Sequence, residues 1–251
     1  GVVAVVTPHR VAVANVGDSR AILVRTTGGN AGAVNGPKFE TVPMSRDHTP
    51  ELESERRRAE AAGMTVEPIV HREEGSDVET VHWRLWRDRG GTKTDCLAMT
   101  RAFGDFDYKS VPDLGREDQP VISVPEVRVE ERRRRRRRVE EEEGKGGEEE
   151  EEDAVLVLAC DGIWNVVDNG EVASFLFNRV WNVAGGGEVR APDPEGIAEA
   201  CDELLRECLR RNSRDNMTVQ VVAMPGGSDE SVGNEVGRHS RGRRVLKFDK
   251  Q

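Results

Sequence analysis

One segment limits the fold more than any other: residues 131–153, ERRRRRRRVEEEEGKGGEEEEED, consist almost entirely of charged side chains and glycines. Neighbouring like charges repel one another, and the segment has almost nothing apolar to bury. We therefore predict a solvated, disordered insertion loop over 131–153, with the core built from the residues on either side. A docking tract for nucleic acid or a membrane surface is the alternative, and the acidic block beside the arginines weakens it.

The overall composition is typical of a globular domain that also contains highly charged segments. Hydrophobic residues make up 36% and charged residues 33% of the 251 residues, and the formal net charge is −10. The chain is long enough to bury a sizeable core, while the negative charge argues against general nucleic-acid binding. We expect a monomer with no nucleic-acid partner and no membrane-spanning segment.

The four cysteines are Cys96, Cys160, Cys201 and Cys208, and they form no CxxC or Cys/His pattern typical of structural zinc. Cys201 and Cys208 lie on one predicted helix with Cα atoms about 10 Å apart, too far for a disulfide. Free thiols favour a reducing compartment, so we expect an intracellular protein of the cytoplasm or nucleus.

The N-terminal half is predicted to be mainly strands. β-Branched runs indicate a β-meander over 1–25, and Thr49-Pro50-Glu51 is typical of a helix start, with Thr49 as N-cap and Gly63 closing the helix. Residues 67–93 are polar and are predicted to be irregular, apart from a short strand over 80–86.

The C-terminal half is predicted to add most of the helices. A strand over 154–159 precedes two amphipathic helices, whose apolar residues recur at helical spacing within 172–183 and 197–209. A last strand over 217–223 is followed by a tail, 225–251, that we expect to be disordered. Strands followed by helices, with few βαβ alternations, indicate an α+β fold with antiparallel sheets.

Three acidic residues stand at the ends or starts of predicted strands: Asp18, Asp161 and Asp215. Each by itself is also compatible with a turn, as in Asp161-Gly162. If the three carboxylates converge they repel one another, and a divalent cation removes that penalty. Oxygen ligands without His or Cys select Mg²⁺ or Mn²⁺. The pattern predicts a metal site at one rim of a sheet.

Six ordered blocks give the chain a specific resemblance. They are VANVGDSRAILVR (13–25), MSRDHTPELESERRRAEAAGMTV, LAMTRAFGDFDYK, PVISVPEVRV, LACDGIWNVV and SRDNMTVQVV. In these blocks the chain resembles the metal-dependent protein serine/threonine phosphatases of type 2C, over nearly its whole length.

The resemblance implies a sandwich of two antiparallel β-sheets flanked by helices, with two Mg²⁺ or Mn²⁺ ions at one edge and a third, weaker ion. It implies that a metal-bound hydroxide attacks phosphoserine or phosphothreonine directly in phosphoprotein substrates. Asp161 matches the acid of the core metal pair, Asp215 the acid of the second metal, and Asp18 the acid of the third. Asn165 stands where the family commonly has an acid, which predicts weaker occupancy of the third site.

Other residues in the matching blocks are interpreted as structural. His48, Arg101, Gly104 and Asp105 fall in this group, and an ion pair between Arg101 and Asp105 would hold the turn between them.

The Asp-Gly-His-Gly motif of the family is absent from the sequence. We interpret residues 1–224 as a partial domain, incomplete at the N-terminus because the chain opens inside a strand, and expect weak or no activity from it alone. The alternative is a pseudophosphatase, a regulatory module that binds phosphoproteins without turnover.

Overall fold

In the computed structural model, the described residues are 1–27, 38–72, 79–133, 151–180, 194–224 and 242–246. The strands are β1 Val2–Val6, β2 Arg10–Asn15, β3 Arg20–Thr27, β4 Lys38–Pro43, β5 Thr65–Arg72, β6 Glu79–Arg89, β7 Thr92–Leu97, β8 Glu126–Glu131, β9 Glu151–Ala159, β10 Met217–Ala223 and β11 Gly242–Leu246. The helices are α1 Glu53–Ala61, α2 Asp161–Trp164, α3 Asn169–Val180 and α4 Pro194–Arg210, with a 3-10 turn at Phe106–Tyr108.

The chain divides into two compact units, each with its own core. Unit 1 contains residues 1–3, 14–19 and 45–127, and unit 2 contains residues 4–13, 20–44 and 128–251. Antiparallel sheets and helices make up both, which confirms the α+β class.

Unit 2 is built on a five-stranded antiparallel sheet in the order β11-β10-β9-β3-β4. Strand β9 lies at its centre because residues 154–159, AVLVLA, are apolar throughout and all buried. On one side β9 pairs with β10, and on the other with β3, so that Ala159 lies opposite both Val219 and Arg20.

Helices α3 and α4 cover this sheet, as their apolar spacing predicts. The apolar stripe of α4 recurs every three or four residues and is buried in the core with Val157 and Ala159 of β9; it consists of Ile197, Cys201, Leu204, Leu205 and Cys208. The predicted strand 217–223 coincides with β10.

Unit 1 contains a second antiparallel sheet, β5-β6-β7. The expectation of irregular structure over 67–93 is wrong for the described residues, which form the paired strands β5, β6 and β7, and the predicted strand over 80–86 lies within β6. Residues 73–78 lie outside the described residues. Charged side chains also pair across this sheet. Lys93 bonds Glu67 across the sheet, and Arg87 reaches Asp95 at 2.6 Å. With both faces largely solvated these strands lack the apolar alternation that marks a half-buried strand.

Two further expectations for the first 65 residues need correction. Strand β3 joins β4 and β9, while β1 and β2 form a separate sheet with β8, so the three predicted strands exist but make no meander. Helix α1 begins at Glu53 with Leu52 at its N-cap position, so the predicted cap at Thr49 is wrong. The Thr49 carbonyl instead accepts the Leu52 N–H in a preceding turn. Gly63 ends the helix with φ +84°, as predicted.

The charged insertion is shorter than the sequence suggests. Asp153 lies within β9, 1% exposed, and its carboxylate accepts a 2.7 Å hydrogen bond from Arg25. Glu131 is the last residue of β8, so the predicted loop 131–153 is wrong at both ends. Residues 134–150 lie outside the described residues. In the tail, 242–246 form β11 beside β10, which contradicts disorder there; the rest of 225–251 is likewise outside the described part.

The four cysteines are free thiols, as expected. Within the part of the chain that the structure describes, none of the helices combines the length and apolar character of a membrane-spanning segment.

Candidate metal-binding site

The end of β9 and the start of β10 place two predicted acidic ligands on adjacent segments of unit 2. Asp161 is the first residue of α2, two residues after the end of β9, and Asp215 stands two residues before β10. The β9–β10 register, with Ala159 opposite Val219, brings these two segments side by side.

Close packing at Gly162 holds the two segments together. A Cβ at this glycine would lie 2.5 Å from the carbonyl oxygen of Asn216 and 3.1 Å from Cγ of Met217, so no larger residue fits without displacement. The Ser213 hydroxyl donates a 2.6 Å hydrogen bond to the Gly162 carbonyl. The start of α2 at Gly162 is therefore also the contact between the Asp161 and Asp215 segments.

Asn165 and Asp215 line a shared depression. Its volume is about 310 Å³, and its lining residues are Asn165, Val166, Asn212, Ser213, Arg214 and Asp215. Asn165 is tied to the first turn of α2, since its N–H donates to the Asp161 carbonyl at 2.9 Å. Asp215 is exposed and accepts a 2.7 Å hydrogen bond from the Asn216 N–H.

A tryptophan fixes the position of α2 behind this depression. The Trp164 indole N–H donates to the Ala159 carbonyl at 2.9 Å, and the Arg20 guanidinium stacks on its ring at 5.1 Å. Arg20 in turn donates to the Asn169 side chain at 2.8 Å. These supports were not predicted from the sequence, although a tryptophan three residues after Asp161 is a signal for them.

Asp18, the third predicted acid, belongs to unit 1, so its convergence with Asp161 and Asp215 stays a prediction. It follows Gly17, whose backbone has φ +102° and whose N–H donates to Nδ1 of His48 at 3.2 Å. His48 is fully buried, and burial together with the nearby Arg101 charge lowers its pKa. The ring is therefore neutral at pH 7 and acts as an acceptor that shapes the loop before Asp18.

Arg101 is structural, but the predicted Arg101–Asp105 pair is replaced by a buried pair that the sequence did not suggest. Arg101 donates to Oε1 of Glu55 at 2.6 and 3.1 Å. The other carboxylate oxygen accepts bonds from Arg58 at 2.6 Å and Thr100 at 2.8 Å. Asp105 instead adopts a left-handed backbone, φ +50°, after Gly104 at φ +88°.

The carboxylate and amide oxygens of Asp161, Asp215 and Asn165 are of the kind that Mg²⁺ and Mn²⁺ prefer. Their number falls short of a complete site. Among the described residues, no three His, Cys, Asp or Glu side chains lie close enough together to hold an ion. The residues present thus fit part of a divalent-cation site.

The chain is similar in sequence to known proteins. The sequence pattern of the family described as protein phosphatase 2C matches residues 1–217. Protein phosphatase ppm-1.A of Caenorhabditis elegans is 33% identical over 231 residues, covering 92% of this chain and 36% of that protein. Human protein phosphatase 1A is 30% identical over 233 residues, covering 92% of this chain and 45% of that protein. The chain thus spans less than half the length of these relatives.

Solved structures share the fold. A phosphatase from Toxoplasma gondii superposes with a TM-score of 0.53 at 27% identity, over 88% of this chain and 50% of that one. The fold of a serine-threonine phosphatase 2C from the same organism also matches, with a TM-score of 0.53 at 22% identity, over 89% of this chain and 57% of that one. The chain belongs to the protein phosphatase 2C family.

Proposed function

We propose that the chain provides a protein serine/threonine phosphatase domain that hydrolyses phosphoserine and phosphothreonine in phosphoproteins with a metal-activated water. Family membership over residues 1–217 supports the reaction class. The observation that carries the assignment to this site is the contact between the Asp161 and Asp215 segments at Gly162. The free thiols support a reducing, intracellular location.

In this proposal Asp161 and Asp215 each supply a carboxylate to a pair of Mg²⁺ or Mn²⁺ ions, and Asp18 supplies one to a weaker third ion. When bound, such ions neutralise charge on the phosphoryl oxygens and supply the attacking hydroxide. Asn165 offers only an uncharged carbonyl oxygen, so the third ion binds less tightly than it would beside an acid. Further ligands are needed beyond the two acids of unit 2.

We further propose that the 251-residue chain by itself has low activity, because its sequence contains no Asp-Gly-His-Gly motif. A phosphoprotein-binding module without turnover is the second candidate. The observation that favours it is the lack of a three-ligand group among the described residues.

The test is phosphate release from a phosphothreonine peptide by the purified chain, with Mn²⁺ and with EDTA. We expect slow, Mn²⁺-dependent release that Asp161→Asn and Asp215→Asn abolish. Asp168→Asn is the matched control, because Asp168 is exposed and accepts the Glu171 N–H at the start of α3, which an asparagine also does.

Two outcomes contradict parts of this proposal. Peptide binding, measured by fluorescence anisotropy, without phosphate release at any Mn²⁺ concentration would favour the binding module. Fast turnover by the chain alone would refute the claim of low activity.

A further inference from the structure

The regular ladder of backbone hydrogen bonds between β9 and β10 ends at Cys160. In an antiparallel sheet, residues of a hydrogen-bonded pair exchange both N–H···O=C bonds. Cys160 and Thr218 stand opposite each other next to the Ala159–Val219 pair, and the Cys160 N–H donates to the Thr218 carbonyl at 3.1 Å. The return bond is missing, because the Cys160 carbonyl accepts the Ile163 N–H at 3.1 Å as the chain turns into α2.

The thiol of Cys160 takes the place of that carbonyl. The Thr218 N–H donates to Sγ at 3.1 Å, so this backbone donor stays satisfied although the ladder has ended. The same thiol donates to the carbonyl oxygen of Asn216 at 3.2 Å. One side chain therefore bonds the backbone of Thr218 in β10 and of Asn216, which lies just before β10 and is the neighbour of Asp215.

We propose that the Cys160 thiol is a positioning residue that sets the separation of the Asp161 and Asp215 segments. Asp161 follows Cys160 directly, and Asn216 follows Asp215, so the S–H···O bond joins the two acid-bearing segments one residue from each acid. The consequence for metal affinity rests on the proposed function, whereas the positioning itself does not.

Substitution of Cys160 leaves other contacts in place, so the domain is expected to fold. Ser213 still bonds Gly162, and Trp164 still bonds Ala159, so α2 remains attached to the sheet. Alanine at 160 removes both thiol bonds. Serine keeps one donor and one acceptor at nearly the same place, on a shorter bond, and is the conservative variant.

The first readout is amide hydrogen exchange of Thr218, compared among the wild-type chain, Cys160→Ala and Cys160→Ser. Loss of one hydrogen bond is expected to lower the protection of the Thr218 amide about tenfold in Cys160→Ala, with recovery to within about threefold in Cys160→Ser. The backbone amide shifts of Asp161 and Asn216 should move in Cys160→Ala. Cys96→Ala, at another half-buried thiol in unit 1, should change none of these signals.

The second readout is Mn²⁺ affinity by calorimetry, where Cys160→Ala should bind about tenfold more weakly than wild type and Cys160→Ser within about threefold. Unchanged Thr218 protection in Cys160→Ala overturns the proposal, as does unchanged Mn²⁺ affinity in that variant when the wild-type chain binds. If the wild-type chain binds no Mn²⁺ while the Thr218 and Asp161 signals change as expected, the proposed function fails and the positioning role stands.

Discussion

Glu55 is the residue whose replacement tests the account of unit 1 most sharply. It is 1% exposed, and both oxygens of its carboxylate accept charged hydrogen bonds, from Arg101 on one side and Arg58 on the other. Burial raises the pKa of such a carboxyl, but the hydrogen bonds from Arg101, Arg58 and Thr100 outweigh it and lower the pKa from 4.5 to about 2. We predict that Glu55→Gln destabilises the fold at neutral pH and much less in acid.

The loss of stability in Glu55→Gln is expected to be about 3 kcal/mol. At about 1.4 kcal/mol per pKa unit, a pKa of about 2 instead of 4.5 corresponds to about 3 kcal/mol of stability. Breaking a buried ion pair costs about 3–5 kcal/mol. The low end applies here, because Arg58 keeps the Thr100 carbonyl at 2.8 Å and Arg101 keeps the Val124 carbonyl at 2.9 Å.

The pH dependence follows from the lowered pKa. The unfolded chain takes up the Glu55 proton near pH 4.5 and the folded chain only near pH 2, so this stability is present above 4.5 and is lost as pH falls towards 2. The difference in the free energy of unfolding between wild type and Glu55→Gln should shrink by about 2 kcal/mol between pH 7 and pH 3.

The assay is urea unfolding of both proteins at several pH values from 3 to 7, with the slopes compared to confirm that the same transition is measured. Glu53→Gln is the control, because Glu53 lies two residues away on α1 in an exposed ion pair with Arg57 and should cost less than about 0.5 kcal/mol. A difference between wild type and Glu55→Gln that is the same at pH 7 and pH 3 would refute the reasoning.

Three further substitutions test unit 2, each by urea unfolding at pH 7. Gly162→Ala places a Cβ 2.5 Å from a backbone carbonyl of the neighbouring segment and should destabilise by about 1–3 kcal/mol; an unaffected midpoint would contradict the close packing. Leu204→Ala, in the fully buried stripe of α4, should cost about 2–5 kcal/mol, against less than about 1 kcal/mol for Leu209→Ala at a 38% exposed position; equal costs would refute the assigned helix face. Asp153→Asn should lower the free energy of unfolding by about 3 kcal/mol, because the buried Arg25 charge loses its carboxylate partner. No change in stability would place the start of β9 outside the folded core.

The parts of the fold that could be predicted from the sequence are those with strong apolar patterns. The run AVLVLA of β9 and the apolar stripe of α4 are recognisable in the sequence, because the burial of apolar surface is what stabilises them. The polar strands β5 and β7 carry no such signal, since their pairing depends on partners distant in sequence. Strands β2 and β3 belong to different sheets because of tertiary contacts, which the local sequence does not encode.

The candidate site divides in the same way. Asp161 and Asp215 are recognisable because both stand beside predicted strands and the surrounding blocks resemble a known family. Glu55 was missed because it stands in the charged run ESERRR, where nothing local separates it from the exposed Glu53. The role of Cys160 was missed because a half-buried cysteine shows no hydrogen-bonding pattern in sequence.

The central claim is that Asp161 and Asp215 belong to one divalent-cation site, and Mn²⁺ binding by calorimetry tests it most directly. The wild-type chain should bind Mn²⁺, and Asp161→Asn and Asp215→Asn should each weaken that binding at least about tenfold, whereas Asp168→Asn should bind like wild type. Equal Mn²⁺ affinity in all four proteins, or no binding by the wild-type chain, would contradict the account.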